Sequence, residues 1–356
     1  MKEIREILSE VAALEDSEKA VLATVVDLKG SGYRLPGARM LIKANGDATG
    51  TVSGGCLEAD VLERAKRVLA TGKAEVFTYD TTADENSVFS LNMGCRGVMR
   101  ILLESVDDAS EIISALRKSR DEREWITAAV NISGAESIGE RRFLGTASDS
   151  NLNLEADLRT FSEASANFET IRYETENGTV EYAFERLVPP VQLYILGAGA
   201  DAVPLADAAH GLGWEVNVCD HRPAFLTAER FPNCDGLIAL ERDKATEWNV
   251  DKLTAFVLMN HNYDRDRAML PGALASNAFY VGALGPKRRT QQILEELGDP
   301  FDEEQLSRLR APAGLDIGAD TPEAIAISII AEIQSVLKNR NGGPLRDRTA
   351  SIYDRK

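Results

Sequence analysis

From Val191 to about residue 285 the chain alternates short, almost wholly apolar runs with stretches of helical spacing, and no other feature limits the fold as much. The runs VQLYILG (191–197), WEVNVCD (214–220), GLIAL (236–240), AFVLMN (255–260) and FYVGALG (279–285) have the length of strands. Most are separated by about ten or more residues that suit a helix, which is room for a crossover rather than a hairpin. Strands with no polar alternation are covered on both faces, so a parallel sheet between two helical layers is expected. A final helix is marked by Thr321 as N-cap and Pro322 at the first helical position, followed by EAIAISIIAEIQSVLKNR.

Residues 1–188 follow a different pattern. Met1 to about Leu14 suits a helix, AVLATVVDL (20–28) a strand, and Asn45-Gly46 a hairpin turn. CLEADVLERAKRVLATG carries the apolar spacing of an amphipathic helix that stops at Gly72. Strands are predicted at 74–80, 97–105 and 125–133, with a helix over 106–120, and IRYETENGTVEYAFERL predicts a hairpin around Glu176-Asn177-Gly178. Periodicity is weak within 140–188, which suits a small subdomain or an irregular connection. Consecutive prolines at 189 and 190 continue neither helix nor ladder, so the boundary is placed there. At 356 residues the chain exceeds one ordinary core. The expected architecture is α/β: an N-terminal α+β domain over 1–188, then a Rossmann-like, doubly wound parallel-sheet domain over 189–356.

Forty Lys and Arg against 57 Asp and Glu leave a net charge of -17, which opposes attraction to nucleic acid and to anionic membranes. No stretch approaches the roughly 18 to 20 apolar residues of a membrane span, and MKEIREILSE lacks the core of a signal peptide. The cysteines at 56, 95, 219 and 234 form no CxxC pair, so reduced thiols and a cytoplasmic location are expected.

The run LYILGAGADAVPL sets Gly197 and Gly199, with Ala202 as the third small residue, between a predicted strand and a predicted helix. Glycines there let a pyrophosphate approach the backbone amides at a helix start. Asp220 closes the next strand, where a carboxylate accepts from ribose hydroxyls, and Arg222 follows as a phosphate contact. His261 leaves the strand 255–260, while Gly282, Gly285 and the basic Lys287, Arg288 and Arg289 leave the strand 279–285. Ligands of open parallel sheets bind beyond the carboxyl ends of strands, so His261 and these glycines are expected to line one crevice. A close-packed turn without a ligand, and a solvated basic face, remain as alternatives.

Cys56, in SGGCLE, is expected at the first turn of its helix, where dipole and amides stabilise a thiolate, and Gly54 and Gly55 leave the sulfur uncrowded. A small buried cysteine fits the same residues. Cys95, in NMGCRG, is a weaker candidate, flanked by Gly94 and Gly97. Cys219 reads as core and His210 as structural. Three histidines and four cysteines show no zinc spacing, and neither a GxSxG elbow nor an acid–base pair of carboxylates is evident.

Taken in order, GSGYRLPGARMLI, GTVSGGCLEADV, NMGCRG, LGAGADAVPL with CDHRPAF, MNHNYDRD, YVGALGPKRR and GLDIGADTPEAIAISIIAEI resemble the XdhC/CoxI family, accessory proteins for molybdenum hydroxylases such as xanthine dehydrogenase and carbon monoxide dehydrogenase. The family turn GCGG is here Gly94-Cys95-Arg96-Gly97, and Arg96 adds bulk and charge beside Cys95. The resemblance implies binding of the molybdenum cofactor, as molybdopterin or its dinucleotide. It also implies sulfuration with a cysteine desulfurase and delivery to a molybdenum hydroxylase in its apo form. Self-association into a homo-oligomer is also expected. An NAD(P)-dependent oxidoreductase using the same loop, with His261 as proton donor, is the alternative from another class, and a partner-binding protein with an empty Rossmann-like scaffold is a third.

Overall fold

The computed structural model of the chain describes residues 2–15, 18–55, 57–80, 97–134, 137–145, 153–176, 178–240, 248–298 and 300–349. It falls into two compact units, one of Glu3–Pro189 and one built from Pro190–Asp354.

In the first unit, α1 (Lys2–Ala12), β1 (Ala20–Gly30), β2 (Arg39–Lys43), β3 (Ala48–Gly50), α2 (Glu58–Thr71), β4 (Glu75–Asp80), β5 (Gly97–Val106) and α3 (Glu111–Asp121) come first. They are followed by β6 (Ile126–Asn131), β7 (Arg141–Phe143), α4 (Leu154–Glu163), β8 (Phe168–Thr175) and β9 (Gly178–Leu187). Two sheets result, ordered β3-β2-β1-β5-β4 and β7-β6-β9-β8, with antiparallel pairing throughout. Side chains alternate along β1: Val21, Ala23 and Val25 pack on Val61, Ala65 and Val68 of α2, whereas Ala20 and Leu22 pack on α1 and α3. An irregularity between Val25 and Asp27 breaks that alternation, and Val26 joins Leu102, Val130, Ile132 and Ala183. The predicted hairpin at 176–178 is present as β8 and β9, with Asn177 outside the described residues.

Buried ion pairs tie the two sheets together. Arg39 on β2 donates twice to Glu185 on β9, at 2.6 and 2.5 Å, and Arg141 on β7 donates to both oxygens of Glu104 on β5, at 3.0 and 2.9 Å. Arg100 on β5 reaches Glu181 on β9 at 2.7 Å and the carbonyl of Ile132 at 2.9 Å. The bidentate pair of Arg141 with Glu104, and the contact of Arg39 with both oxygens of Glu185, satisfy charges that burial would otherwise penalise heavily.

The second unit contains β10 (Gln192–Leu196), α5 (Ala202–Gly211), β11 (Glu215–Asp220), β12 (Gly236–Ala239), β13 (Thr254–Leu258), α6 (Tyr263–Ala275) and β14 (Tyr280–Ala283). It continues with α7 (Lys287–Leu297), α8 (Glu303–Ser307), β15 (Leu309–Arg310) and α9 (Pro322–Leu337). One sheet runs β12-β11-β10-β13-β14-β15 and is parallel throughout. Leu193 and Ile195 face α5 and α9, while Tyr194 and Leu196 face Leu270, Ala273 and Leu274 of α6. Both faces are therefore covered, which is why these strands read as apolar runs. Strand order reverses between β10 and β13, which puts the topological switch point there. No described helix is long and apolar enough to cross a membrane.

Candidate functional site

At the switch point the ends of two neighbouring strands are pressed together. Gly197, at φ +122°, follows β10, and a Cβ on it would lie 2.5 Å from the carbonyl oxygen of Met259 and 2.8 Å from the Cα of Asn260. Only glycine combines that backbone conformation with that contact. Gly199 differs: a Cβ there would meet nothing nearer than the His261 ring, at 3.6 Å. Space is therefore left above the turn, beside the histidine.

The turn is also short of internal acceptors. The amides of Ala202 and Val203 bond to the carbonyls of Gly199 and Ala200, each at 3.3 Å, and Pro204 has no N–H. The amides of Gly199, Ala200 and Asp201 find no acceptor among the described residues. Three consecutive unpaired N–H groups before a helix make a concavity that suits an anion.

Asp220 ends β11 as expected, but its carboxylate has another task. Fully buried, it accepts from the Ala198 amide at 2.7 Å, the Arg222 amide at 2.8 Å, and the Nε and Nη2 of Arg222 at 2.9 and 2.8 Å. A carboxylate has about four lone-pair sites, so none remains for a ribose hydroxyl. Burial pushes the Asp220 carboxyl up, and the hydrogen bonds from Arg222 and Ala198 outweigh it and hold the group at about 2. Arg222, expected at a phosphate, has that edge of its guanidinium committed to Asp220 and lies 4.1 Å over the Phe225 ring. Asp220 and Arg222 thus brace the glycine turn from beneath.

His261 follows β13 in the left-handed region, at φ +53°, where a non-glycine side chain is strained. Its Nε2 lies 3.0 Å from the Oδ2 of Asp201. Asn260 beside it is buried, its Nδ2 donating to Asp266 at 2.9 Å while its Oδ1 finds no donor among the described residues. Asp266 is also bound by Arg289, and burial pushes its carboxyl up although the bonds from Asn260 and Arg289 oppose the shift.

The glycines after β13 divide. Gly285, at φ +118°, is a turn residue beside Arg289. Gly282 was expected to line the crevice, but a Cβ on it would lie 2.7 Å from the Tyr280 ring and 3.0 Å from Ala313, so internal packing explains it. Cys219 is core, and burial pushes its thiol well up; Cys234 is pushed up to about 12 by burial.

In the first unit, three glycine-rich segments meet at one end of the sheet. Gly30 pairs with Gly97, whose Cβ would lie 2.5 Å from the Ser31 carbonyl oxygen, and the exposed Tyr33 ring lies 3.3 Å from where a Cβ on Gly54 would be. Gly55 has φ +100° and open space around it. The Glu58 carboxylate ties the turn down: it accepts from the hydroxyls of Thr51 and Ser53, from the Ser53 amide at 2.9 Å and from the Leu57 amide at 3.2 Å. Burial raises the Glu58 carboxyl, but these donors leave it below the usual carboxylate range. α2 begins at Glu58 with Leu57 as N-cap, later than expected for a cysteine in the first turn. Cys56, Cys95 and Arg96 lie outside the described residues.

Known proteins resemble this chain along most of its length. Residues 13–80 match the XdhC and CoxI family, and residues 193–333 match the XdhC Rossmann domain. A Bacillus subtilis protein named as a probable subunit of xanthine dehydrogenase is 32% identical over 327 residues, covering 90% of this chain and 94% of its own. This chain belongs to the XdhC and CoxI family. The molybdenum cofactor insertion chaperone PaoD of Escherichia coli is 26% identical, over 92% of this chain and 86% of its own. The crystal structure of a xanthine dehydrogenase from Bacillus halodurans superposes with a TM-score of 0.76 at 26% identity, covering 96% of this XdhC/CoxI chain and 97% of that one.

Sequence reasoning did not single out Asp201, the orphaned oxygen of Asn260, Glu58 or Tyr33. Asp201 had a signal, an acidic residue inside a phosphate-type loop. The roles of Asn260 and Tyr33 depend on contacts across the fold.

Proposed function

We propose that this chain binds the molybdenum cofactor, holds it while its terminal sulfur is installed, and inserts it into a xanthine dehydrogenase-type hydroxylase. The observation that carries the proposal is similarity, along 92% of the chain, to a protein named as a molybdenum cofactor insertion chaperone. The crevice chemistry supports it: the unpaired amides of Gly199, Ala200 and Asp201 fit the phosphate oxygens of molybdopterin or of its dinucleotide. Cys56 is the proposed sulfur contact for the metal end, with Gly54 and Gly55 leaving it room and Cys95 as the weaker candidate, because a soft thiolate suits molybdenum and persulfide sulfur. The partners this function requires are a cysteine desulfurase and a molybdenum hydroxylase in its apo form. A nicotinamide dinucleotide bound in the usual way needs a carboxylate free to take its ribose, and Asp220 is not free.

Purification from cells that make the cofactor tests the proposal, with release, oxidation and fluorescence of the pterin as the readout. Pterin is expected to travel with the protein; its absence in both mono- and dinucleotide forms overturns the function. Cys56→Ser is expected to keep the fold and lose activation of a partner hydroxylase, measured as substrate turnover by that partner.

A further inference from the structure

Asp201 has a position whose usual purpose is closed to it. An Asp before a helix ordinarily accepts from the second or third amide of that helix. Here the second, on Val203, is already bonded to Ala200, and the third residue is Pro204. The Asp201 side chain accordingly makes no cap hydrogen bond, and its partner is His261. A carboxylate accepts only, so the Nε2 of His261 donates to it.

That carboxylate stands in the same turn as the three unpaired amides, one of which is its own. Left to itself, its charge would repel the phosphate those amides are arranged to take. His261 keeps it engaged, its ring 3.6 Å from where a Cβ on Gly199 would stand, and does so from a strained left-handed backbone position that glycine or asparagine would adopt at lower cost. A second sign that the crevice awaits a ligand is the buried Oδ1 of Asn260, which lacks a donor among the described residues on the residue that packs against Gly197.

We propose that His261 is a positioning residue that acts through Asp201, holding the carboxylate off the amide concavity so that a phosphate can enter. The proposal rests on the phosphate-binding function assigned to this crevice. It makes Asp201 the obstacle and His261 the restraint, and the two side chains are therefore coupled in binding.

The test is titration of the full-length protein with inorganic pyrophosphate by calorimetry, alongside thermal unfolding. His261→Gly removes the restraint and suits the backbone, so its melting temperature is expected to equal or exceed that of the parent while affinity falls by about tenfold or more. Asp201→Ala is expected to bind at least as tightly as the parent, and His261→Gly combined with Asp201→Ala to recover that affinity. Loss in the single variant without recovery in the double variant shows direct contact by His261 and overturns the proposal, as does unchanged affinity in His261→Gly. Failure of the parent to bind pyrophosphate at millimolar concentration overturns both the restraint and the amide site, whereas the assignment of a pterin cargo stands or falls separately on co-purification.

Discussion

Asp220 shows how a single side chain can keep its place in a motif and change its work. Its oxygens hold the Ala198 amide and Arg222, so Asp220→Asn is expected to lower unfolding free energy in urea by about 2 kcal/mol. The folded-state carboxyl sits at about 2, below an ordinary aspartate at about 3.9. Its contribution is therefore complete above about pH 4 and drains away as pH falls toward 2, and an acid titration of stability should be flatter in that window for Asp220→Asn than for the parent. The two glycines of the turn separate in the same way. Gly197→Ala, with a positive φ and a carbonyl oxygen 2.5 Å from the new Cβ, should cost about 3 kcal/mol or more, whereas Gly199→Ala should stay within about 0.5 kcal/mol by thermal unfolding. The carboxylate at the strand end was legible in the sequence, and so were the glycines. What escaped was the return of Arg222 onto Asp220, because a side chain's choice between a ligand and a near neighbour leaves no mark in spacing.

At the scale of elements, the segments with strong periodicity were legible: α2, α9, β1 and the five longer strands of the parallel sheet. In the second antiparallel sheet β6 and the β8–β9 hairpin were legible, while β7 and the pairing of β6 with β9 were not. β7 has three residues, and β6, which ends at Asn131, takes as its partner β9, which begins only at Gly178. Its cohesion with the first sheet depends on charge as well as apolar contact. Arg39→Met should therefore cost about 3 to 5 kcal/mol in chemical denaturation, because Glu185 is left buried without a partner, and most of that loss should return in Arg39→Met combined with Glu185→Leu. The SGG turn is an element of the same kind. Glu58→Ala strands the Ser53 donors and leaves Thr51 and Leu57 only their second acceptors on Ser53, and faster amide hydrogen exchange confined to residues 51–58 is the expected result.

Across the whole molecule, the two cores of the parallel sheet draw, among the described residues, only on those from Val191 onward. A fragment beginning at Pro190 is accordingly expected to fold alone, with a single cooperative thermal transition; a non-cooperative melt would show that its sheet depends on the preceding residues. The sequence by itself determined the parallel sheet and the glycine turn after its first strand, because apolar periodicity and glycine conformation are local properties of the chain, and its ordered motifs carried the resemblance to the XdhC/CoxI family. Only the tertiary structure decided that Asp220 braces the turn instead of facing a ligand, that Gly282 serves packing, and that Asp201 meets His261. Asp201 and His261 stand sixty positions apart, whereas Arg222 and Tyr280 are near neighbours of the residues they engage; in each case several groups compete for one place, and that competition is settled only once the strands lie side by side.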